Sequence, residues 1–256
     1  MSELAIELVG VRHAYAAEEV LKGIDLRVPW GQICGYLGPN GAGKSTTLRI
    51  LSGLLQPTAG EARVAGHAPT ASLAARAQLG YVPDSGGLYG LLSGREHLAL
   101  VSDLHDLSAE RFETRMTQLD AALDLKGLLD QRIDTLSKGQ RQRIALACGL
   151  LHGPKVLLLD EPLSGLDARA ARSLRDLLQH MASEGCAILY CSHILDVVER
   201  VCDRAVILFE GEVVADAPTS ELVSRSKGGT LEAVFHSLTR SRDIEGLQGA
   251  FSERGR

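Results

Sequence analysis

The chain has 256 residues, 45% of them hydrophobic and 23% charged, so it can bury a full core as one large α/β domain or as one domain with a subdomain. Its formal net charge of −5 argues against the broad basic surface that a nucleic-acid backbone requires, and we expect no nucleic-acid partner. No apolar run reaches the roughly 18 to 20 residues that span a bilayer, and the first ten residues lack the pattern of a secretion signal, so we expect a cytoplasmic chain unless a partner holds it at a membrane.

The N-terminal segments predict two antiparallel strands followed by a buried one. Residues 4–11 (LAIELVGV) and 23–28 (GIDLRV) alternate apolar and polar side chains, which is typical of half-buried strands. Residues 31–38 (GQICGYLG) are more uniformly apolar. The next helical pattern, 44–55 (KSTTLRILSGLL), places Leu48, Leu51 and Leu55 on one face.

A glycine-rich loop joins that buried strand to the helix. Residues 38–46 read GPNGAGKST and fit the phosphate-binding pattern G-x-x-x-x-G-K-[S/T]. Glycine allows backbone N–H groups to approach phosphate oxygens, and the helix directs its positive end at the same anion. We expect Lys44 to reach the β and γ phosphates and the Ser45 hydroxyl to bind Mg²⁺. The predicted nucleotide-binding residues of the loop are Gly38, Pro39, Asn40, Gly41, Ala42, Gly43, Lys44, Ser45 and Thr46. A chance glycine-rich turn is the alternative.

The rest of the chain predicts a helical segment and then more strands. Residues 94–105 and 109–125 have apolar residues at helical spacing and no strand signal, which indicates helices inserted into an α/β core. Residues 155–160 (KVLLLD) and 187–192 (AILYCS) read as buried parallel strands that flank a helix. Residues 204–214 predict a hairpin. We therefore predict an α/β fold: a P-loop core with a parallel sheet, an N-terminal antiparallel β subdomain and an inserted helical subdomain.

Two adjacent carboxylates end the buried strand at 155–160. Asp160 and Glu161 point in different directions from a strand end, so one can hold a metal while the other faces an attacking water. We assign Asp160 to Mg²⁺ and Glu161 to the general base. An ordinary exposed acidic turn is the alternative.

These motifs occur with others in an order that resembles one protein family. LSKGQRQR at residues 136–143 resembles the signature motif of ABC-type ATPases, and it is followed by LLLDEP, by SGLD at 164–167 and by SH at 192–193. Over residues 4–222 the chain is similar to an ABC nucleotide-binding domain. The resemblance implies such a domain at 1–222, with a helical subdomain at about 90–150, and a C-terminal helix and tail at 223–256.

The resemblance also implies roles for further residues. Ser137 and Gly139 would contact the γ-phosphate of ATP bound to a second copy, and Asp167 would lie in the loop that crosses between copies. His193 would touch the γ-phosphate and the catalytic water, and Tyr15 would stack on adenine. From the residues alone, Ser137 is also a helix cap, His193 could be an ordinary core or surface histidine, and Tyr15 a core aromatic.

Two positions depart from the family pattern. Asp84 stands where the family usually has Gln, or Glu in some branches. We assign Asp84 to the metal site, although its side chain is shorter than that of Glu and cannot donate a hydrogen bond as Gln can. Lys138 stands where the common form has glycine.

The resemblance implies an ATPase that forms a homodimer around two ATP with Mg²⁺ and drives a separate transmembrane permease docked near Asp84 and the helical subdomain. Residues 92–100 and 231–239 resemble segments of ABC-2-type exporters, so we expect an export role at the cytoplasmic face of the cell membrane. One alternative is an ABC-type ATPase without a membrane partner, working in repair, chromosome organisation or translation. Another is a weakly hydrolysing subunit, against which Glu161 and His193 argue.

Overall fold

A computed structural model describes residues 3–85, 87–226 and 228–239. The elements in chain order are β1 (Leu4–Tyr15), β2 (Glu18–Pro29), β3 (Ile33–Leu37), α1 (Lys44–Leu51), β4 (Ala59–Val64), α2 (Leu73–Ala77), β5 (Leu79–Val82), α3 (Gly94–Leu104), α4 (Ala109–Leu123), a 3-10 turn (Ile133–Thr135), α5 (Lys138–Leu150), β6 (Val156–Asp160), α6 (Ala168–Ser183), β7 (Ala187–Ser192), α7 (Leu195–Val201), β8 (Arg204–Phe209), β9 (Glu212–Pro218) and α8 (Thr219–Arg225). Residues 231–239 are also helical. The expected tail at 240–256 lies outside the described residues.

The predicted N-terminal strands form an antiparallel sheet. β1 pairs with β2 on one side and with β4 on the other, so the order is β2-β1-β4. The predicted alternation is seen in β2, where Ile24, Leu26 and Val28 are buried, and in β1 it is interrupted by shifts of register at Leu4/Ile6 and Leu8/Val11. β4, which has the sequence AGEARV, was not predicted because three of its six residues are Ala or Gly and only one is β-branched.

The larger sheet is mostly parallel and has the order β5-β6-β7-β3-β8-β9. The first five strands are parallel, and β9 returns antiparallel to β8 through the predicted hairpin. Glu210 and Gly211 both have positive φ there, +48° and +81°, as a tight primed turn requires. The carboxyl ends of β3, β5, β6 and β7 therefore meet at one edge of the sheet.

Both faces of this sheet are covered, which explains its uniformly apolar strands. Along β6, Leu157 and Leu159 contact the core on one face, while Val156 and Leu158 contact the core on the other, and all four are fully buried. An alternating pattern is lost when neither face meets water.

The first helix is shorter than predicted. α1 ends at Leu51, and Gly53 takes a φ of +76°. Leu54 N–H donates to the Arg49 carbonyl and Gly53 N–H to that of Ile50, a pair of bonds that closes a helix C-terminus. Leu55 therefore packs against the core from a turn and not from a helix.

The helical insert lies between β5 and β6. α3, α4 and α5 each begin at a serine whose hydroxyl accepts a backbone N–H of the first turn, namely Ser93, Ser108 and Ser137. The five cysteines are free thiols, and four of them are buried. Across the described ranges, no helix combines the length and apolar character needed to cross a membrane.

Candidate active site

The glycine loop lies between the end of β3 and the start of α1. Gly41 and Gly43 have φ of +83° and +108°, and a Cβ on Gly43 would lie 2.5 Å from the Leu21 side chain, so glycine is required there. Lys44 is 7% exposed, and its Nζ donates to the carbonyls of Gly38, at 2.6 Å, and Pro39, at 3.1 Å. No side chain caps α1, so the N–H groups of its first turn are available to a ligand at the loop. This loop can receive an anion.

Two of the predicted metal-binding residues are in contact. The Ser45 hydroxyl donates to Asp160 Oδ2 at 2.8 Å, although 115 residues separate them in sequence. Asp160 is 5% exposed, and burial raises its pKa; the hydrogen bond from Ser45 opposes this shift, whereas the charges of Glu161 and Asp84 add to it. A hydroxyl and a carboxylate are the hard oxygen donors that Mg²⁺ prefers, so these side chains fit that ion.

Glu161 is held by the residues that follow β7. Its Oε1 accepts from the His193 backbone N–H at 2.9 Å and lies 2.8 Å from His193 Nδ1, and its Oε2 accepts from the Ser192 hydroxyl at 3.0 Å. Glu161 itself has a φ of +49°, an uncommon conformation for a residue other than glycine, which its N–H bond to the Cys191 carbonyl helps to hold. Ser192 has no predicted role, and its position beside His193 is the one signal in the sequence for this contact.

Asp84 follows β5 in an exposed position. Because β5 pairs with β6 in parallel, the loop after β5 emerges at the same edge as Asp160. The Asp84 charge contributes to the raised pKa of Asp160, but no hydrogen bond joins these two described residues.

The signature segment begins α5 and is closely packed on the loop before α6. The Ser137 hydroxyl accepts from Gln140 N–H at 3.3 Å, and Gln140 Oε1 accepts from Ser137 N–H at 2.8 Å. A Cβ on Gly139 would lie 2.1 Å from the Gly165 carbonyl oxygen, so no larger residue fits. The two bonds between Ser137 and Gln140 confirm that Ser137 caps α5. Lys138 is exposed beside it.

Asp167 caps α6 and is tied to the signature helix. Its Oδ1 accepts from the N–H groups of Arg169 and Ala170, both at 2.9 Å, and its Oδ2 accepts from Arg143 at 2.8 Å. These bonds, with that to Ala170 foremost, lower the pKa of Asp167. Arg143 also donates to Asp124 Oδ2 at 3.1 Å. Arg143 lies within the signature motif, but its contact with Asp167 is not predicted, because a linear motif does not indicate which distant residue a side chain binds.

Tyr15 ends β1 and is 43% exposed, so it is not a core aromatic. Its ring meets that of His13 edge to face, with centroids 4.7 Å apart. In the part of the chain that the structure describes, no hydrogen bond connects Tyr15 or Ser137 to the glycine loop. The predicted residues thus fall into one group at the sheet edge, a second group around Ser137 and Asp167, and Tyr15 by itself.

The fold and the edge site define a P-loop ATPase. The family model described as "ABC transporter" matches residues 21–164. The chain is 35% identical to the daunorubicin resistance ATP-binding protein DrrA3 of Streptomyces coeruleorubidus over 236 residues, which cover 92% of this chain and 75% of that protein. It is 34% identical to the Nod factor export ATP-binding protein I of Paraburkholderia xenovorans over 92% of this chain and 78% of that one. The chain belongs to the ABC transporter family as an ATP-binding subunit.

Solved structures agree with this assignment. A structure titled as the ATP-binding subunit of an ABC transporter matches 92% of this chain and 99% of its own, with a TM-score of 0.86 and 31% identity. A dimeric bacterial ABC transporter cassette matches 84% of this chain and 98% of its own, with a TM-score of 0.77 and 27% identity.

Proposed function

We propose that this ATPase drives an exporter: it forms a dimer around two ATP and moves a separate transmembrane subunit from the cytoplasmic face of the membrane. One observation supports the ATP-hydrolysing part of this proposal most directly. Three separate strands, β3, β6 and β7, bring Lys44, the Ser45–Asp160 pair and the Glu161–His193 pair to a single edge of the sheet. That set contains a phosphate cradle, metal ligands and a base.

The glycine loop would hold the β and γ phosphates. Its backbone N–H groups and the start of α1 face the anion, and Lys44 would exchange its bonds to the Gly38 and Pro39 carbonyls for phosphate oxygens. Ser45, Asp160 and, more remotely, Asp84 would hold Mg²⁺. When bound, this ion neutralises charge that develops on the phosphates.

Glu161 would act as the general base. Its carboxylate would accept a proton from the attacking water while the bonds from Ser192 and His193 keep it in position. His193, whose side chain is 65% exposed, can turn its ring towards the γ-phosphate without leaving a buried site.

The second group of predicted residues supports a dimer. Ser137 and Gly139 lie at the exposed start of α5, where free N–H groups can receive an anion from outside the subunit. Asp167 is fixed beside them through Arg143. We propose that this surface completes the ATP site of a second copy, and that Tyr15 stacks on adenine in its own copy. The nucleotide-binding unit would then span residues 1–222, with its helical subdomain at about 90–150.

Exposed apolar side chains support a membrane partner. Tyr89 and Leu91, in the segment after Asp84, are 64% and 76% exposed, and Leu104 at the end of α3 is 74% exposed. Tyr89 and Leu91 lie two residues apart in one loop, and exposed apolar groups that are close together are typical of an interaction surface. Resistance and export are the roles in the names of the two relatives, and we extend an export role to this chain.

The competing function is an ABC-type ATPase that works without a membrane subunit. Repair and chromosome ATPases of this kind have long coiled coils or zinc modules between the P-loop and the signature. Here the segment between Asp84 and Ser137 contains two helices of 11 and 15 residues, which favours the transporter.

The distinguishing experiment is affinity purification of the Glu161→Gln variant from detergent-solubilised membranes of its native host with Mg-ATP. We expect a stoichiometric multi-span membrane protein to accompany it. Replacing Tyr89 and Leu91 with serine should abolish that association, whereas Val9→Ser, at a 43% exposed position on β1, should not. Recovery of the chain alone, or with soluble partners only, would contradict the transporter assignment.

A further inference from the structure

A cavity lies at the edge of the central sheet opposite the glycine loop. Its volume is 930 Å³, which falls within the range of about 300 to 1,000 Å³ that is typical of small-molecule sites. It is formed beneath the amino ends of β3, β6 and β7 by the segments that precede these strands, together with α4 and the end of α6. None of the residues assigned to ATP hydrolysis lines it.

The body of the cavity is apolar. The apolar side chains that line it include Trp30, Leu119, Ala122, Leu177, Met181 and Cys186. Leu177 and Met181 share the apolar face of α6 with Leu174 and Leu178, yet only the latter two are buried. Leu177 and Met181 are half-buried: they pack against the core and also line this cavity. The helix thus presents part of two apolar side chains to the cavity.

One part of the lining is basic. Arg115, Lys155 and His180 line this part of the cavity. The one acidic residue in the described lining is Glu184, which is exposed at the end of α6. Positive charge therefore exceeds negative charge around an apolar chamber.

Arg115 is half-buried and has no carboxylate partner among the described residues. It donates to the Leu150 and Leu151 carbonyls, at 2.7 and 3.1 Å, and to Gln118 Oε1 at 2.9 Å. Burial, followed by the charge of Arg111, lowers its pKa. These three acceptors are uncharged, so the guanidinium retains N–H groups and a charge that an anion would stabilise.

We propose that this cavity binds a small organic anion with an aromatic or other apolar body. Its carboxylate or sulfonate would pair with Arg115 and Lys155, and its body would pack against Trp30 and Met181. The site goes beyond the proposed transport function, because it lies away from both the nucleotide edge and the exposed apolar residues near Asp84.

The chain's single tryptophan is Trp30, which makes binding directly measurable. The probes are 1-anilino-8-naphthalenesulfonate and N-phenyl-1-naphthylamine, which have the same aromatic body with and without the anionic group. We expect the sulfonate to quench Trp30 emission saturably, with one site per chain, and to bind roughly tenfold more tightly than the uncharged probe. Saturating Mg-ATP should not displace it.

Variants locate the anion. Lys155→Gln should weaken sulfonate binding several-fold and leave the uncharged probe unaffected, and it removes no hydrogen bond to a described residue. Arg115→Gln should act in the same direction, but it also removes bonds to the end of α5, so Lys155→Gln is the decisive variant. Ala122→Leu, which fills part of the cavity, should weaken both probes. Arg175→Gln, on α6 but not lining the cavity, should weaken neither.

Several outcomes would overturn the proposed anion site. Displacement by Mg-ATP would mean that the probe occupies the nucleotide site. Equal affinity for both probes, non-saturating quenching, or unchanged sulfonate binding in Lys155→Gln would each overturn the proposal.

Discussion

His152 should make the folded protein sensitive to acid. The residue follows α5, is 8% exposed, and its ring stacks on that of His105 with centroids 3.9 Å apart. Its Nε2 donates to the Leu79 carbonyl at 3.2 Å, and its Nδ1 is buried without a hydrogen-bond partner among the described residues. The folded site therefore holds a neutral imidazole.

The structure gives the size of the effect. Burial above all, and then the charge of His105, lowers the pKa of His152 from 6.5 to about 4. Because the unfolded chain binds the proton more readily, stability is complete above pH 6.5 and is lost as the pH falls from 6.5 towards 4. A difference of this size corresponds to about 3 kcal/mol when complete, and to about 2 kcal/mol at pH 5.

The assay is urea unfolding at pH 7.5 and pH 5.0, followed by far-UV circular dichroism. His152→Gln keeps a side-chain N–H for the Leu79 carbonyl but does not titrate, so its loss of stability over this interval should be smaller than that of the native chain by about 2 kcal/mol. His67→Gln, at an exposed position, should behave like the native chain. If the native chain and His152→Gln lose the same stability, the argument from burial is wrong.

Three further substitutions test the proposed catalytic geometry. Glu161→Gln should bind ATP normally in an equilibrium titration but hydrolyse it roughly 10² to 10⁴ times more slowly, because the base is lost; a rate within threefold of the native chain would exclude this role. Gly139→Ala should reduce turnover strongly, since its Cβ would lie 2.1 Å from the Gly165 carbonyl and would push the signature helix away from that loop; unchanged kinetics would contradict the close packing. Arg143→Gln should lower the turnover number several-fold, because it releases Asp167, which the guanidinium holds at 2.8 Å. The ATP affinity of the isolated subunit should not change. Equal turnover by Arg143→Gln and the native chain would show that this contact has no effect on hydrolysis.

The sequence was most informative where chemistry and local structure require the same residues. The loop from Gly38 to Thr46 needs glycines at fixed spacing, and β6 needs a uniformly apolar run that ends in Asp160. Both patterns are local, and both elements form as predicted. The helical insert was likewise predicted from apolar spacing, and its caps at Ser93 and Ser137 follow ordinary helix-start rules.

Other features depend on contacts between distant residues and could not be predicted. The bond from Ser45 to Asp160 spans 115 residues, and that from Arg143 to Asp167 crosses from one helix to the start of another. The cavity beside Trp30 is lined by residues from four separate parts of the chain, namely Trp30, 115–122, 150–155 and 177–186. The end of α1 could have been predicted more accurately, because Gly53 followed by Pro57 is a helix-stop signal, although the apolar spacing continues to Leu55.

The most direct test of the central claim is the mass of the Glu161→Gln variant in solution, measured by light scattering after size exclusion with and without saturating Mg-ATP. We predict a monomer without nucleotide and a dimer with it, because each copy would supply a phosphate loop to one ATP and a signature segment to the other. The dimer should be lost in the same variant carrying Ser137→Arg. A variant that binds ATP and remains monomeric at all nucleotide concentrations would contradict the shared site.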